Sequence, residues 1–232
     1  MGTALDIILG GLITIVTAIG IEYFRRPKLQ LYIEDPPYDV YGRQNCPASA
    51  ARHLRLRLRN KSLPGMLHWM QRGAALQCRG EITFHHLDGQ DIFGRRMSVR
   101  WANSPQPVAS HVVDLQGNPQ FLIQDFARTT AETRMDVYPG DEEILDVAAR
   151  FDSEPDCYGW NNDAYLFAWR NPEWKLPSGR YLVRVVVTSS GQKCFGRFRL
   201  INDVGRTDFR LERATPDDIV KLHNRRSRSR SG

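Results

Sequence analysis

The feature that most constrains this chain is an uncharged apolar run near its N-terminus. Residues 7–21 read IILGGLITIVTAIGI, and apolar side chains extend the stretch at both ends, to residue 4 and residue 24. A helix needs ~20 predominantly apolar residues to cross about 30 Å of hydrocarbon. We therefore predict one transmembrane helix over residues 4–24.

The charges beside this run predict its orientation. A cleaved signal peptide would carry basic residues before the apolar stretch and small A-x-A-like residues after it. Here Asp6 is the only charged side chain before the run, and a basic flank over residues 25–28 follows it: Arg25, Arg26 and Lys28. The positive-inside rule then predicts a single-pass protein of the cell's inner membrane, with its N-terminus outside and residues 25–232 in the cytoplasm. The lipid bilayer is therefore the first predicted partner. The alternative is that the apolar run forms a buried core helix of the folded domain and does not cross a membrane.

Small residues recur every four positions along the same run, at Gly10, Thr14 and Ala18. Small side chains at this spacing let two membrane helices approach closely. We predict a homo-oligomer through the membrane helix, with the alternative that glycine and threonine are simply common in such helices.

The net charge of +6 lies outside the body of the chain. Eight of the 32 basic residues and two of the 26 acidic residues lie outside the span 29–220, which leaves 24 of each sign within it. A nucleic-acid-binding domain would carry a broad cationic surface. The distribution therefore argues against a DNA or RNA partner.

After the membrane run, alternation of apolar and polar residues dominates. The segment 53–59 reads HLRLRLR, and turn sequences such as Asp88-Gly89 and Pro139-Gly140 separate similar segments. Many short alternating segments with this punctuation predict an all-β sandwich, which we place over residues 29–214. The predicted strands are 29–33, 53–59, 80–87, 92–101, 121–126, 133–138, 143–151, 164–169, 180–188, 193–201 and 207–213. Their number also allows a decorated sandwich or two packed β subdomains, with a boundary within 103–119.

One strand resembles a known family pattern. The run GRYLVRVVV places Tyr181 two residues before Val183, in a strand that follows a tight turn. This resembles the tyrosine corner of immunoglobulin-like sandwiches, with Val183 at the position of their second cysteine. The resemblance implies an immunoglobulin-like sandwich without its inter-sheet disulfide. The next strand predicts a hairpin partner with Cys194, Phe198 and Leu200 facing inward.

The C-terminal residues are predicted to form a short helix and a basic tail. Thr215 is an N-cap and Pro216 a first helical residue, which predicts a helix over 215–224. Residues 225–232 are polar and basic, and we expect them to be disordered. Beside an anionic leaflet this tail could contact lipid through four arginines: Arg225, Arg226, Arg228 and Arg230. The alternative is an end that only adds solubility.

The sequence contains no motif for phosphoryl transfer, hydrolase elbows or zinc helices. We predict no enzyme activity, no cofactor and no metal. His85 and His86 are adjacent and would point to opposite faces of a strand. The acidic segment 152–163 is similar to a calcium loop, but Cys157 and Asp163 stand where such a loop needs glycine and glutamate, which favours an inter-strand loop.

Three arginines on one strand face, Arg55, Arg57 and Arg59, form a candidate surface for an anion or a partner. Arg95, Arg96 and Arg100 would extend it. The alternative is a solvated sheet face whose arginines pair with acids on neighbouring strands. Aromatic residues around Trp160 predict core, with a recognition surface as the alternative.

These features predict a membrane-anchored binding or scaffold module that engages a protein partner without catalysis. A second hypothesis is a sensor that signals through association of the membrane helix. A third is an enzyme on a β scaffold that uses Asp152, Asp156 or a histidine.

The double substitution Gly10→Ile and Thr14→Ile tests the helix face, because two bulky side chains would separate the packed backbones. We expect it to abolish self-association of the isolated segment in a membrane two-hybrid assay. The matched controls are Ile8→Leu and Ile15→Leu, which preserve side-chain volume and should leave the signal unchanged. Equal signals from the double variant and the parent would reject association through this face.

Overall fold

The structure is a computed structural model of the chain. It describes residues 2–40, 50–67, 70–113, 116, 119–125, 127, 133–167, 169–190 and 192–228.

Helix α1 spans Gly2–Arg25, two residues before and one residue after the predicted limits. Its segment Ile8–Arg25 is the one candidate span within the described residues that is long and apolar enough to cross a membrane. No residue of that segment is buried in the protein. The helix ends before Pro27, which cannot donate a helical hydrogen bond.

The body of the protein is two antiparallel sheets packed face to face. Sheet I contains β1 (Leu29–Ile33), β2 (Tyr38–Val40), β3 (Ala51–Asn60), β6 (Arg100–Trp101), β10 (Glu142–Phe151), β11 (Cys157–Gly159) and β12 (Lys175–Leu176). Sheet II contains β4 (Ala75–His85), β5 (Met97–Ser98), β9 (Met135–Val137), β13 (Gly179–Ser189), β14 (Gln192–Asn202) and β15 (Phe209–Arg213). A separate hairpin joins β7 (Val108–Val113) to β8 (Pro119–Gln124).

The core lies between the inner faces of the two sheets. Leu54, Leu56 and Leu58 point inward from β3 and are buried, as the HLRLRLR alternation predicts. From sheet II, alternate residues of β13 and β14 meet them, including Val185 and Phe198. One continuous core serves both sheets, so the all-β, sandwich-like prediction is confirmed.

The hairpin of β13 and β14 forms as predicted, with Val183 opposite Phe198. Cys194 is half-buried and packs against the core. The Tyr181 hydroxyl donates a 2.8 Å hydrogen bond to the Pro177 carbonyl, four residues upstream.

Several predicted elements are wrong. The predicted strand 164–169 is wrong over residues 164–167, because Asn162–Phe167 is a 3-10 helix that covers part of the outer face of sheet I. Residue 168 lies outside the described residues. The predicted strand 92–101 reduces to β5 and β6, and β7 lies inside the predicted boundary region 103–119. Alternation alone cannot distinguish a strand from a short helix that buries one side.

The C-terminal helix α2 spans Pro216–Arg228 and passes the predicted limit at residue 224 by four residues. Residues 225–228 of the predicted disordered tail are therefore helical, since no proline or glycine interrupts this stretch. Residues 229–232 lie outside the described residues.

Candidate functional site

The predicted arginine row lies on the outer face of sheet I, where neighbouring strands supply carboxylates. The ion pairs are Arg55 with Asp146 at 2.7 Å, Arg57 with Glu34 at 3.4 Å, and Arg59 with Glu142 at 3.5 Å. Each arginine of the row is thus neutralised by an acid of the same sheet face. A role for this row in binding an external anion stays a prediction.

Asp146 is the most buried member of this network. It lies between its direct cross-strand neighbours, Arg55 of β3 and Arg100 of β6. Arg55 Nε donates to one carboxylate oxygen at 2.7 Å, and Arg100 Nη1 donates to the other at 2.9 Å. Asp146 is 1% exposed and Arg100 is 5% exposed. Removal of the carboxylate would leave two cations with little access to water.

His53 lies on the same sheet face beside the charged row. Its ring packs edge-on against Trp160, with ring centroids 4.7 Å apart. Its Nδ1 atom is buried and has no hydrogen-bond partner in the described part of the chain. Burial, which disfavours the charged ring, lowers the pKa of His53 from 6.5 to about 4. His53 is therefore an uncharged packing group at neutral pH.

The outer face of sheet II has a depression with a volume of about 410 Å³. Among the described residues that line it, four are cationic and one is acidic: Arg79, Arg96, Arg184, Lys193 and Glu81. Glu81 pairs with Arg96 at 2.8 Å. We call this surface the sheet-II depression. Arg96, proposed from sequence as an extension of the Arg55 row, instead contributes to this opposite face.

Strand register brings the lining side chains together. Thr188 of β13 lies directly between Arg79 of β4 and Lys193 of β14. In the next outward-facing row, Val186 lies between Glu81 and Phe195. Successive side chains of a strand point to opposite faces of the sheet. Because the residues between these positions are buried in the core, the side chains that line the depression point to the outer face.

Helix α2 covers the far end of the same sheet face. Arg199 Nη2 donates to Asp218 at 2.7 Å, and Asp218 also accepts from the backbone N–H of Thr215. Leu182 and Leu222 are buried there. The helix therefore lies next to the depression, at the row of Arg199 and Leu182.

Three of the four predicted lipid-contact arginines lie in the last turn of α2. Arg225, Arg226 and Arg228 belong to α2, and Arg230 lies outside the described residues. The row covered by α2 contains Leu182, six residues from Thr188, which corresponds to about 20 Å along a strand. Contact between the tail and lipid stays a prediction.

The predicted membrane flank is bonded to the sandwich at a junction centred on Asn60, whose side chain is fully buried. Asn60 Oδ1 accepts from the backbone N–H of Lys28 at 3.0 Å. Its Nδ2 donates to the carbonyls of Gly73 and Val137, at 3.0 and 3.1 Å. Asn60 thus joins the chain that leaves α1 to two separate segments of the sandwich.

The segment 61–74 contacts the end of α1 directly. The Gly73 N–H donates to the Arg25 carbonyl at 2.5 Å, and Arg72 Nη1 donates to the Arg26 carbonyl at 2.7 Å. A Cβ atom at residue 73 would lie 3.0 Å from the Arg25 oxygen, so glycine permits this close approach. Two bonds, from Gly73 to Arg25 and from Arg72 to Arg26, therefore hold the end of α1 at a defined place on the sandwich.

Apolar side chains are exposed on the chain segments that supply the bonds of this junction. Met66 is 91% exposed, Tyr138 is 56% exposed and Leu76 is 44% exposed. Lys61 and Arg72 lie in the same segment. We call the exposed apolar residues Met66, Leu76 and Tyr138 the junction surface. Apolar and cationic groups together are typical of surfaces at a membrane interface.

The predicted association residues lie on α1. The Thr14 hydroxyl donates to the Gly10 carbonyl at 2.9 Å, so this polar group is satisfied within the helix. A Cβ atom at Gly10 would meet nothing within 4 Å. Gly10, Thr14 and Ala18 are all exposed. Association through them stays a prediction.

The acids of segment 152–163 form ion pairs with different basic residues. Asp156 lies 2.7 Å from Lys175, and the other pairs are Asp152 with Arg206 and Glu154 with Arg170. Asp152, Glu154 and Asp156 thus each meet a different base. The prediction of one inter-strand loop is wrong, because Cys157–Gly159 forms β11 and Asn162 begins the 3-10 helix. The described residues contain no group of three or more histidine, cysteine, aspartate or glutamate side chains able to hold a metal.

Histidines and cysteines occupy separate places. His85 bonds to Thr83 and Gly89 at the end of β4, whereas His86 is exposed. Three cysteines are free thiols, Cys78, Cys157 and Cys194. Cys46 lies outside the described residues.

The aromatic group is mostly core. Trp160, Tyr165 and Trp174 are buried, as the core alternative predicts. Phe167 is 43% exposed, and Trp169 is partly buried against the same residues.

Comparisons of the chain with protein-family models, with curated proteins and with solved structures found no match. The sheet-II depression and the Asn60 junction are therefore described from the geometry of this chain alone. Sequence reasoning missed the sheet-II depression and the Asn60 junction. The polar residues Arg79, Glu81 and Thr83 alternate along β4, which is a signal for an outward-facing polar strand face. The residues that lie beside them come from β13 and β14, about a hundred residues later in the chain.

The substitution Asp146→Asn tests the buried charge network. We expect it to lower the free energy of unfolding by about 3–5 kcal/mol, because both arginines would stay buried without a counter-charge. The measurement is urea unfolding of the full chain in detergent. Glu142→Gln, which removes a more exposed carboxylate, should cost about 1 kcal/mol or less. Equal losses in the two variants would contradict the network.

His53 predicts a pH dependence of stability. Its folded pKa of about 4 lies below the unfolded value of 6.5, so between these values the unfolded chain binds a proton that the folded chain does not. Stability should therefore fall by about 3 kcal/mol as the pH drops from 6.5 to 4. Urea unfolding at several pH values should show this loss in the parent but not in His53→Phe. Parallel pH curves for the two proteins would contradict the prediction.

Proposed function

We propose that this chain is a membrane-tethered, non-enzymatic binding module. Helix α1 crosses the bilayer, and the sandwich presents the sheet-II depression to a partner at a fixed height above the membrane. The observation that carries this proposal is the Asn60 junction, which bonds the residues after α1 to the sandwich. A flexible linker would leave the binding surface free to rotate, whereas this junction restricts it.

The position of the depression supports a role close to the membrane. Ser189, at the end of β13, donates to the Leu76 carbonyl at 2.9 Å. Leu76 lies three residues after Gly73, which contacts the end of α1. The row of Arg79, Thr188 and Lys193 is therefore the membrane-proximal row of the depression.

Charge supports a cytoplasmic sandwich at the inner membrane, with the N-terminus outside. The basic flank follows α1, and Lys61 and Arg72 add two more cations beside it. Cations flanking a membrane helix favour the cytoplasmic side.

The hydrogen bond from Tyr181 to Pro177 supports an immunoglobulin-like sandwich. Domains of this architecture commonly act in recognition, which is an argument by analogy. By this analogy, the proposed partner is a protein that binds the sheet faces or loops of the sandwich.

The side chains considered for catalysis support binding rather than an enzyme. Asp152 and Asp156 are engaged with Arg206 and Lys175. His53 is buried and uncharged at neutral pH. A general base needs access to substrate as well as a suitable pKa.

A sensor that signals through helix association is the second candidate function. The open space at Gly10 favours close approach of a second helix. The Asn60 junction would transmit the resulting change in helix position to the sandwich.

The junction surface tests the proposed orientation. Met66→Cys, labelled with an environment-sensitive dye in the full chain in phosphatidylcholine vesicles, should show a blue-shifted spectrum and quenching by headgroup-nitroxide lipids. The reason is that Met66 precedes Arg72 and Gly73, which bond to the residues at the end of α1, where the helix is proposed to leave the bilayer.

Val204→Cys is the matched control because Val204 is 92% exposed but follows the far end of β14. Eleven residues of β14 span about 35 Å. This site should remain in water and unquenched, and labelling of the unsubstituted protein gives the background from native cysteines. Identical spectra at 66 and 204 would contradict the proposed orientation.

A further inference from the structure

Basic residues from separate segments meet where α1 joins the sandwich. The Lys61 N–H donates to the Lys28 carbonyl at 3.0 Å, so these two lysines lie opposite each other and extend the register of β1 and β3 by one position. Arg72 Nη1 donates to the Arg26 carbonyl at 2.7 Å. We call the cations of this junction the basic cluster: Arg25, Arg26, Lys28, Lys61 and Arg72. The fold therefore adds two cations of the segment 61–74 to the three cations of the membrane flank.

The acids near the basic cluster do not pair with it. Glu22 lies one turn earlier on α1, and the Asp141 carbonyl accepts from the N–H of Asn60. Among the residues that the structure describes, neither of these carboxylates nor any other forms an ion pair with a cation of the cluster. The three cations of the flank are exposed, and Lys61 is half-buried. Five cations beside two acids leave a positive excess at this junction.

The two opposed lysines show what this excess costs the fold. Like charges directly opposite each other on neighbouring strands are destabilising. On the outer face of sheet I the same repulsion is relieved within the chain, because Arg57 and Arg59 both lie within 3.6 Å of Glu142. An anion bound from outside the chain would give Lys28 and Lys61 the counter-charge that Glu142 gives those arginines.

Exposed apolar side chains belong to the same end of the sandwich. Met66 lies between Lys61 and Arg72 in the chain and is 91% exposed. Tyr138, 56% exposed, directly follows a residue whose carbonyl accepts from Asn60. A lipid offers a phosphate for the cations together with apolar groups for these side chains, whereas a free phosphate offers the charge alone. The composition of this end therefore favours a lipid as the source of the anion.

We infer that the basic cluster binds the headgroup phosphates of anionic lipids, as a second attachment of the sandwich to the bilayer beside α1. Helix α1 ends at Arg25, so the cluster begins where a crossing helix would meet the headgroups. A signal for orientation needs the flank but does not need Lys61 opposite Lys28. This inference rests on the proposed function, because it requires α1 to lie in a bilayer.

The lipid selectivity of the full chain provides the readout. The protein is reconstituted in phosphatidylcholine vesicles that contain a trace of spin-labelled phosphatidylglycerol or spin-labelled phosphatidylcholine. Electron paramagnetic resonance separates the lipids that are immobilised at the protein from the bulk lipids. The ratio of the two association constants measures the preference for the anionic headgroup. We expect a ratio above one for the parent, and we expect it to decrease at high salt, because exposed charges are screened.

The double variant Lys28→Gln and Lys61→Gln removes the opposed pair and keeps the backbone bond between the two residues. We expect it to remove most of the selectivity, because each lysine close to an anionic surface strengthens the attraction by about fivefold. Lys28→Arg with Lys61→Arg keeps both charges and should retain the selectivity. The charge-matched control is Arg213→Gln with Lys221→Gln, which removes two exposed cations of β15 and α2 and should leave the ratio unchanged. Cooperative thermal unfolding of each variant verifies the fold.

Three results would overturn the inference: a ratio of one in the parent, equal ratios in the parent and the Lys28→Gln, Lys61→Gln variant, or equal losses in that variant and the charge-matched control. Immobilised spin-labelled phosphatidylcholine reports separately that α1 lies in the bilayer. Loss of selectivity with that signal present would therefore leave the proposed function standing. Absence of that signal would contradict the tether and this inference together.

Discussion

The geometry of this protein depends on one buried amide. Asn60 at the end of β3 bonds Lys28 on the chain that leaves α1, Gly73 on the adjoining segment, and Val137 at β9. Backbone groups removed from water need partners, and a side chain that offers both a donor and an acceptor can serve several at once. Together with the bonds from Arg72 and Gly73 to the end of α1, that amide connects the apolar helix to the sandwich. With these bonds, the orientation of the sandwich relative to the helix becomes a property of the fold.

The two outer sheet faces use arginine in different ways. On sheet I, Asp146 neutralises Arg55 and Arg100 in a cross-strand row that water hardly reaches. On sheet II, Glu81 is the single acid among the described lining of a depression with four cations. Burial makes the first arrangement a matter of stability, because a lost partner cannot be replaced by solvent. In the second arrangement Arg79, Arg96 and Lys193 are exposed to solvent.

Local patterns predicted much of the fold. The alternation of Leu54, Leu56 and Leu58 identified the inward face of β3, and the residues around Tyr181 predicted a strand after a tight turn. The same method failed at residues 164–169, where apolar side chains at similar spacing cover the outside of sheet I from a 3-10 helix. It also could not connect Arg79 with Lys193, because cross-strand proximity depends on register between segments that are far apart in sequence.

The sequence by itself determined the apolar helix, the strand alternation and the location of charge along the chain, because these follow from hydropathy and period within short segments. Tertiary structure alone decided which carboxylates the arginines of sheet I meet. It also decided that residues 72 and 73 hold the end of α1. These outcomes depend on contacts between distant segments, and such contacts form only when the sheets pair in one register and share one core.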